Sequence, residues 1–209
     1  MIAGTQVKIG PRHQGRRMSL KAFEFAQVET GHVYELARGM IVVSEAPNFR
    51  HMRAVAAIRK YLILYQALNP SEVYEVLASM ECKVLVAELE SERHPDIAVY
   101  KSAPRRTRGR TMWRTWVPDL VVEVVSPGSA DRDYVEKREE YWARGVKEYW
   151  IVDLSQEQVL VLKRGKNRWT EKILESPDVW ETKLLPGFTL VCREIFAAAA
   201  DEGESEANS

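Results

Sequence analysis

The stretch Leu120–Val125, "LVVEVV", reads as a β-strand that is apolar on both faces, with Glu123 set inside it. The two-residue period of a strand places Val121, Glu123 and Val125 on one face and Leu120, Val122 and Val124 on the other. A strand of this kind belongs in the middle of a sheet whose two sides are both covered. A glutamate in that setting needs a partner, because an unpaired buried carboxylate shifts its pKa rather than stay charged. What Glu123 pairs with is therefore the first question the chain raises.

The flanking segments supply the covering layers. Asn48 caps a predicted helix, "FRHMRAVAAIRKYLILYQAL", in which Met52, Val55, Ile58, Leu62 and Tyr65 recur at helical spacing. After the strand, Ser126-Pro127-Gly128 is a turn signal, and "DRDYVEKREEYWARG" reads as a second helix. Asp131 and Asp133 suit its start and Gly145 its end. A shorter helix, "SLKAFEFAQVE", follows Ser19, and "HVYELARGMIVVSE" is a hairpin around Arg38-Gly39. "EVYEVLASMECKVLVAE" and "HPDIAVYK" supply two or three strands; "KEYWIVD", "QVLVLKR", "RWTEKILES" and "FTLV" supply more, and "REIFAAAA" is a closing helix. The expected class is α/β or α+β, a central mixed sheet flanked by helices with antiparallel hairpins at its ends.

Length and charge bound the rest. The 209 residues suit one domain, expected over residues 18–200, with a flexible arm at 1–17 and a disordered acidic tail at 201–209. Formal net charge is zero, so a polyanionic partner requires a local basic patch. Cys82 and Cys192 give no metal spacing, the N-terminal residues lack the apolar core of a secretory signal, and no apolar run reaches membrane-spanning length. A cytoplasmic protein without membrane association is the expectation.

A second acid gives Glu123 a functional reading. Asp96 opens the strand "DIAVY" directly after Pro95. Two carboxylates on adjacent strands can hold a hard divalent ion such as Mg²⁺ or Mn²⁺, with waters and a substrate phosphate completing the shell. The bland alternative is a glutamate facing an arginine at the sheet edge. Asp133 and Lys137, four residues apart on the following helix, share a face; alone they read as a surface ion pair of about 0.2–0.5 kcal/mol. The strand–turn–helix order can carry Lys137 back over the end of the sheet.

The segments "HPDIAVY", "PDLVVEVVSP", "D-Y-V-E-K" and "Y-W-A-R-G-V-K-E-Y-W-I-V-D" resemble, in order and spacing, the Uma family of restriction endonucleases, within the PD-(D/E)XK nuclease superfamily. The likeness spans roughly Ser19 to Phe196 and includes the early hairpin "YELARGMIVV". It implies a restriction-endonuclease-like core and a metal-dependent phosphodiesterase site. Asp96 is then the aspartate of the PD half-motif and Glu123 the acid of the second half, the two metal ligands. Val125 stands where the superfamily has its lysine, and the resemblance assigns that role to Lys137. Asp133, His51 and Glu35 are further candidates, His51 because superfamily members often carry an acid on the first core helix.

Residues 101–116, "KSAPRRTRGRTMWRTW", hold six cations interleaved with Trp113 and Trp116. Arg105, Arg106, Arg108 and Arg110 are candidates for phosphate contact and the tryptophans for base stacking; the alternative is a solvated insertion whose tryptophans close the sheet edge. Tyr141, Trp142, Tyr149 and Trp150 sit at core spacings and read as structural. The leading reading is a Mg²⁺-dependent endonuclease acting on DNA, with a homodimer as the expected form of an enzyme that cuts both strands. The alternative is an inactive nuclease fold that binds nucleic acid or a protein partner.

Overall fold

The computed structural model describes residues 7–105 and 110–200. In chain order the elements begin with β1 (Lys8–Ile9), α1 (Leu20–Glu24), β2 (Gln27–Val28), β3 (Val33–Ala37), β4 (Met40–Ser44) and α2 (Phe49–Leu68). They continue with β5 (Glu75–Leu77), β6 (Val84–Val86), β7 (Ser91–Arg93), β8 (Ile97–Tyr100), β9 (Leu120–Val124) and α3 (Lys137–Arg144). The last are β10 (Glu148–Asp153), β11 (Gln158–Arg164), β12 (Trp169–Glu175), β13 (Val179–Thr182), β14 (Leu185–Val191) and α4 (Cys192–Ala200).

The main sheet has six strands in the order β12-β11-β10-β9-β8-β5. Only its β9–β10 pair is parallel, and the connection between those two strands is the long crossover that a parallel pair demands, here through α3. A second, antiparallel sheet runs β4-β3-β7-β6. β9 is the covered central strand its sequence requires. Leu120, Val122 and Val124 pack with Ala54, Ile58, Leu62 and Tyr65 of α2 and with Ile195 and Phe196 of α4. On the other face Val121 packs with Tyr141 of α3, Tyr149 of β10, and Val84 and Val86 of the smaller sheet. Glu123 lies on that second face, between the main sheet and α3. No helix among the described residues is long and apolar enough to cross a membrane.

The mixed α+β class, the Arg38-Gly39 hairpin and the Asn48 cap are all present; the Asn48 side chain accepts from the His51 amide at 2.9 Å. Four details differ from the sequence reading. The helix expected from Ser19 to Glu29 stops at Glu24, because Gln27 and Val28 pair with Lys8 and Ile9 instead. For the same reason residues 7–17 are not a loose arm: Ile9 is fully buried beside Leu20 and Phe23. The buried stripe of α2 is headed by His51 and Ala54, leaving Met52 exposed, since His51 turns toward Asp96. Strands β7 and β13 have no counterpart in the apolar pattern.

Candidate active site

Antiparallel pairing of β8 with β9 sets Ile97 opposite Val122, so Asp96 and Glu123 meet at the same end of neighbouring strands. Asp96 is fixed from two sides. Its Oδ2 accepts from the Val124 amide at 2.7 Å, and its Oδ1 lies 3.0 Å from His51 Nε2. The other ring nitrogen of His51 is 2.9 Å from Ser126 Oγ. The N-terminal turn of α2 thereby closes over the end of the sheet.

Glu123 finds its partners within the chain. Its Oε2 is 3.0 Å from Lys137 Nζ, and its Oε1 accepts from the Tyr141 hydroxyl at 2.5 Å. Lys137 Nζ is also 3.0 Å from Asp133 Oδ1, while Asp133 Oδ2 accepts from Ser129 Oγ at 2.6 Å. Asp133 and Lys137 are buried, so the surface-pair alternative is excluded by position. The turn Arg132–Glu136 that leads into α3 is a wide, π-type turn, with the Lys137 amide donating to the Arg132 carbonyl. Such turns recur at functional sites; here the extra width lets Asp133 and Lys137 point the same way into the protein.

These side chains line one cleft of about 490 Å³, with Glu35, His51, Asp96, Glu123, Asp133 and Lys137 all contributing to its wall. The electrostatics are unbalanced. Burial, opposed by Lys137 and assisted by Asp96 and Asp133, pushes Glu123 up to about 8. Burial alone would lower the Lys137 pKa, but Glu123, Asp133 and Glu35 outweigh it and raise it, so Lys137 stays an ammonium. Glu35 is held at about 2: burial raises it, but Lys137, Arg93 and the His94 amide prevail.

Four carboxyl groups of the wall, Glu35, Asp96, Glu123 and Asp133, thus surround one buried ammonium, and Asp133 Oδ1 is buried without a hydrogen bond of proper geometry. Carboxyl oxygens are the hard donors that Mg²⁺ or Mn²⁺ take, and one or two from the protein suffice. Among the described residues no group of three or more His, Cys, Asp or Glu side chains is placed to hold a metal ion. The residues present fit an ion that is also held by waters and substrate oxygens.

The candidate set therefore converges. Tyr141 was hidden because an aromatic at helical spacing reads as core, although Asp133, Lys137 and Tyr141 at intervals of four mark one stripe. Ser126 was visible only as part of a turn. The basic segment is a different matter. Lys101 Nζ contacts Glu72 at 3.0 Å, Arg114 pairs with Glu24 at 2.5 Å, and Trp116 stacks on Tyr100 with ring centroids 3.8 Å apart. Trp116 is thus packed against β8 with Ala98 and Tyr100 and is not available to stack on a base. Arg105 is exposed, Arg110 begins a short turn through Arg114, and Arg106 and Arg108 lie outside the described residues.

A family model, Uma2, with the description "Putative restriction endonuclease", matches residues 21–193. The chain belongs to the Uma2 family. Its fold is similar to a solved structure from Anabaena variabilis described as a "putative nuclease belonging to DUF820". That likeness has a TM-score of 0.70 at 16% identity and covers 87% of this chain and 99% of the other. No curated protein matches. In this Uma2 chain Asp96, Glu123 and Lys137 lie in the wall of one cleft.

Proposed function

We propose that this Uma2 protein is a metal-dependent endonuclease that hydrolyses phosphodiester bonds in DNA. The observation that carries the reading is the gathering of four acids, Glu35, Asp96, Glu123 and Asp133, around the buried Lys137 ammonium in one cleft wall. Asp96 and Glu123 would hold Mg²⁺ or Mn²⁺, and the bound ion would polarise a phosphoryl oxygen and acidify a water. The chain supplies the rest. Lys137, kept cationic by its neighbours, stabilises the negative charge that builds on the phosphate oxygens as water attacks. Asp133 holds the Lys137 ammonium in place at 3.0 Å. His51 and Ser126 hold Asp96 at the cleft edge.

A plasmid assay tests the reading. Supercoiled DNA with Mg²⁺ or Mn²⁺ is expected to become nicked and then linear, with no cutting in EDTA or with Glu123→Gln. Uncut DNA with the wild-type protein and either ion would favour an inactive nuclease fold. One observation points that way: Val125, at the position of the superfamily lysine, is packed among the apolar residues of the α3 side.

A further inference from the structure

Both oxygens of Glu123 are engaged from α3, by two side chains one helical turn apart. Lys137 reaches Oε2, and Tyr141, four residues on, donates to Oε1 at 2.5 Å. The two contacts differ in kind. The lysine sits in the cleft wall, whereas Tyr141 is fully buried behind the acid and does not border the cleft. Its ring is held edge-on by Tyr149, centroids 4.9 Å apart and planes at 83°. Tyr149 is in turn anchored by donating to the Asp133 carbonyl at 2.9 Å. Burial and the charge of Glu123 raise the Tyr141 pKa well above that of a free phenol, so its oxygen remains a donor. A short bond from a rigid phenol fixes the carboxylate plane, and each carboxylate oxygen keeps a further lone pair for another partner.

We propose that Tyr141 is a positioning residue of the metal site, its hydroxyl fixing the Glu123 carboxylate in the orientation that presents its free lone pairs to a divalent cation. This rests on the metal-dependent reading above. The logic is that of outer partners in metal sites, which orient the ligands and whose loss typically costs about 10–100-fold in metal affinity.

The test is a Mn²⁺ titration, read by the paramagnetic signal of free Mn²⁺, on wild type, Tyr141→Phe and Tyr149→Phe. The control is matched: both variants lose one hydroxyl and one hydrogen bond from adjoining buried tyrosines, but only Tyr141 touches Glu123. Tyr141→Phe is expected to weaken Mn²⁺ binding by ~10–100-fold, with Tyr149→Phe close to wild type. Unchanged affinity in Tyr141→Phe, or an equal loss in both variants, overturns the proposal and leaves the metal site standing. A wild-type protein that binds no Mn²⁺ overturns the metal reading and this proposal with it. Should Tyr141→Phe fail to fold, wild-type protein isotope-labelled at tyrosine Cζ decides the matter. Mg²⁺ is then expected to move the Tyr141 resonance more than that of Tyr149, and an unmoved Tyr141 signal overturns the assignment.

Discussion

Lys137, carried on a helix rather than on the strand, is boxed in by its neighbours. Its ammonium lies between Glu123 and Asp133, and the side chain is only 9% exposed. Removing it leaves two buried carboxylates without their cation, so the effect on activity must be separated from the effect on stability. Lys137→Met keeps most of the packing volume. If the ammonium stabilises charge on the reacting phosphate, cleavage should slow by about 10²–10³-fold, the usual cost of one lost charge-stabilising donor. Cleavage rates measured where the variant is fully folded check this, and a wild-type rate would remove Lys137 from the chemistry. The acids and the lysine were legible in the sequence because each interrupts a pattern: Asp96 and Glu123 break apolar strands, and Lys137 repeats the phase of Asp133. Tyr141 breaks nothing, and its role follows only from where its oxygen ends up.

Element by element, the question is what holds α3 in the rotation that aims Lys137 inward. Arg93, at the end of β7, is wholly buried and binds three acids. Its Nε and Nη2 grip Glu140 at 2.6 and 3.1 Å, Nη1 reaches Glu35 at 3.2 Å, and Nη2 reaches Glu136 at 3.1 Å. Ser91 Oγ adds a bond to Glu140 at 2.8 Å. One arginine thereby ties β3, β7 and α3 together, three residues before Asp96. Breaking a buried ion pair from one side typically costs about 3–5 kcal/mol, because the partner is left charged in a dry site. Arg93→Ala should lose at least that much in urea unfolding, whereas a loss below ~1 kcal/mol, the surface-pair range, would show that the network is slack. The same titration in acid has a definite sign. Glu35 is held at about 2 in the fold, below its ordinary 4.5, so its contribution is present above that ordinary value and fades as pH falls toward 2. β7 could not be read from the sequence for the reason that makes it important. Ser91, Glu92 and Arg93 are all polar yet all buried, and the partners that permit this come from distant segments. The apolar strands β9, β10 and β11 satisfy their own burial rule and were plain. The face of α2 was read correctly at Ile58, Leu62 and Tyr65 and missed by one position only at its start, since His51 owes its burial to Asp96 rather than to hydropathy.

For the molecule as a whole, zero net charge hides an uneven layout: under the proposed function an acid-rich cleft receives a polyanion, and cations elsewhere would hold the phosphates. The basic segment joins the end of β8 at Tyr100 to the start of β9 at Leu120, whereas Asp96 and Glu123 lie at the opposite end of that strand pair. Four residues of strand, about 13 Å at ~3.3 Å each, separate the two. A duplex seated in the cleft extends farther than that, since one helical turn spans about 34 Å, so the segment remains within reach as a flanking clamp. Lys101 and Arg114 are already committed to Glu72 and Glu24, which leaves Arg105, Arg106, Arg108 and Arg110, the first three of them the ones to test together. Each phosphate neutralised on duplex DNA contributes a slope of about −0.9 to log affinity against log salt. Replacing the three arginines by alanine should flatten that slope by up to ~2.7, the sum of three such contacts. Ca²⁺ in place of Mg²⁺ would suppress cleavage during the measurement, and Mn²⁺ affinity should be unchanged because the strand ends that bear the segment lie a strand length from the acids. Parallel salt lines for the two proteins would mean that the segment is a solvated insertion, and the phosphates would then have to be held by cations at the cleft itself, Arg132 and Lys137.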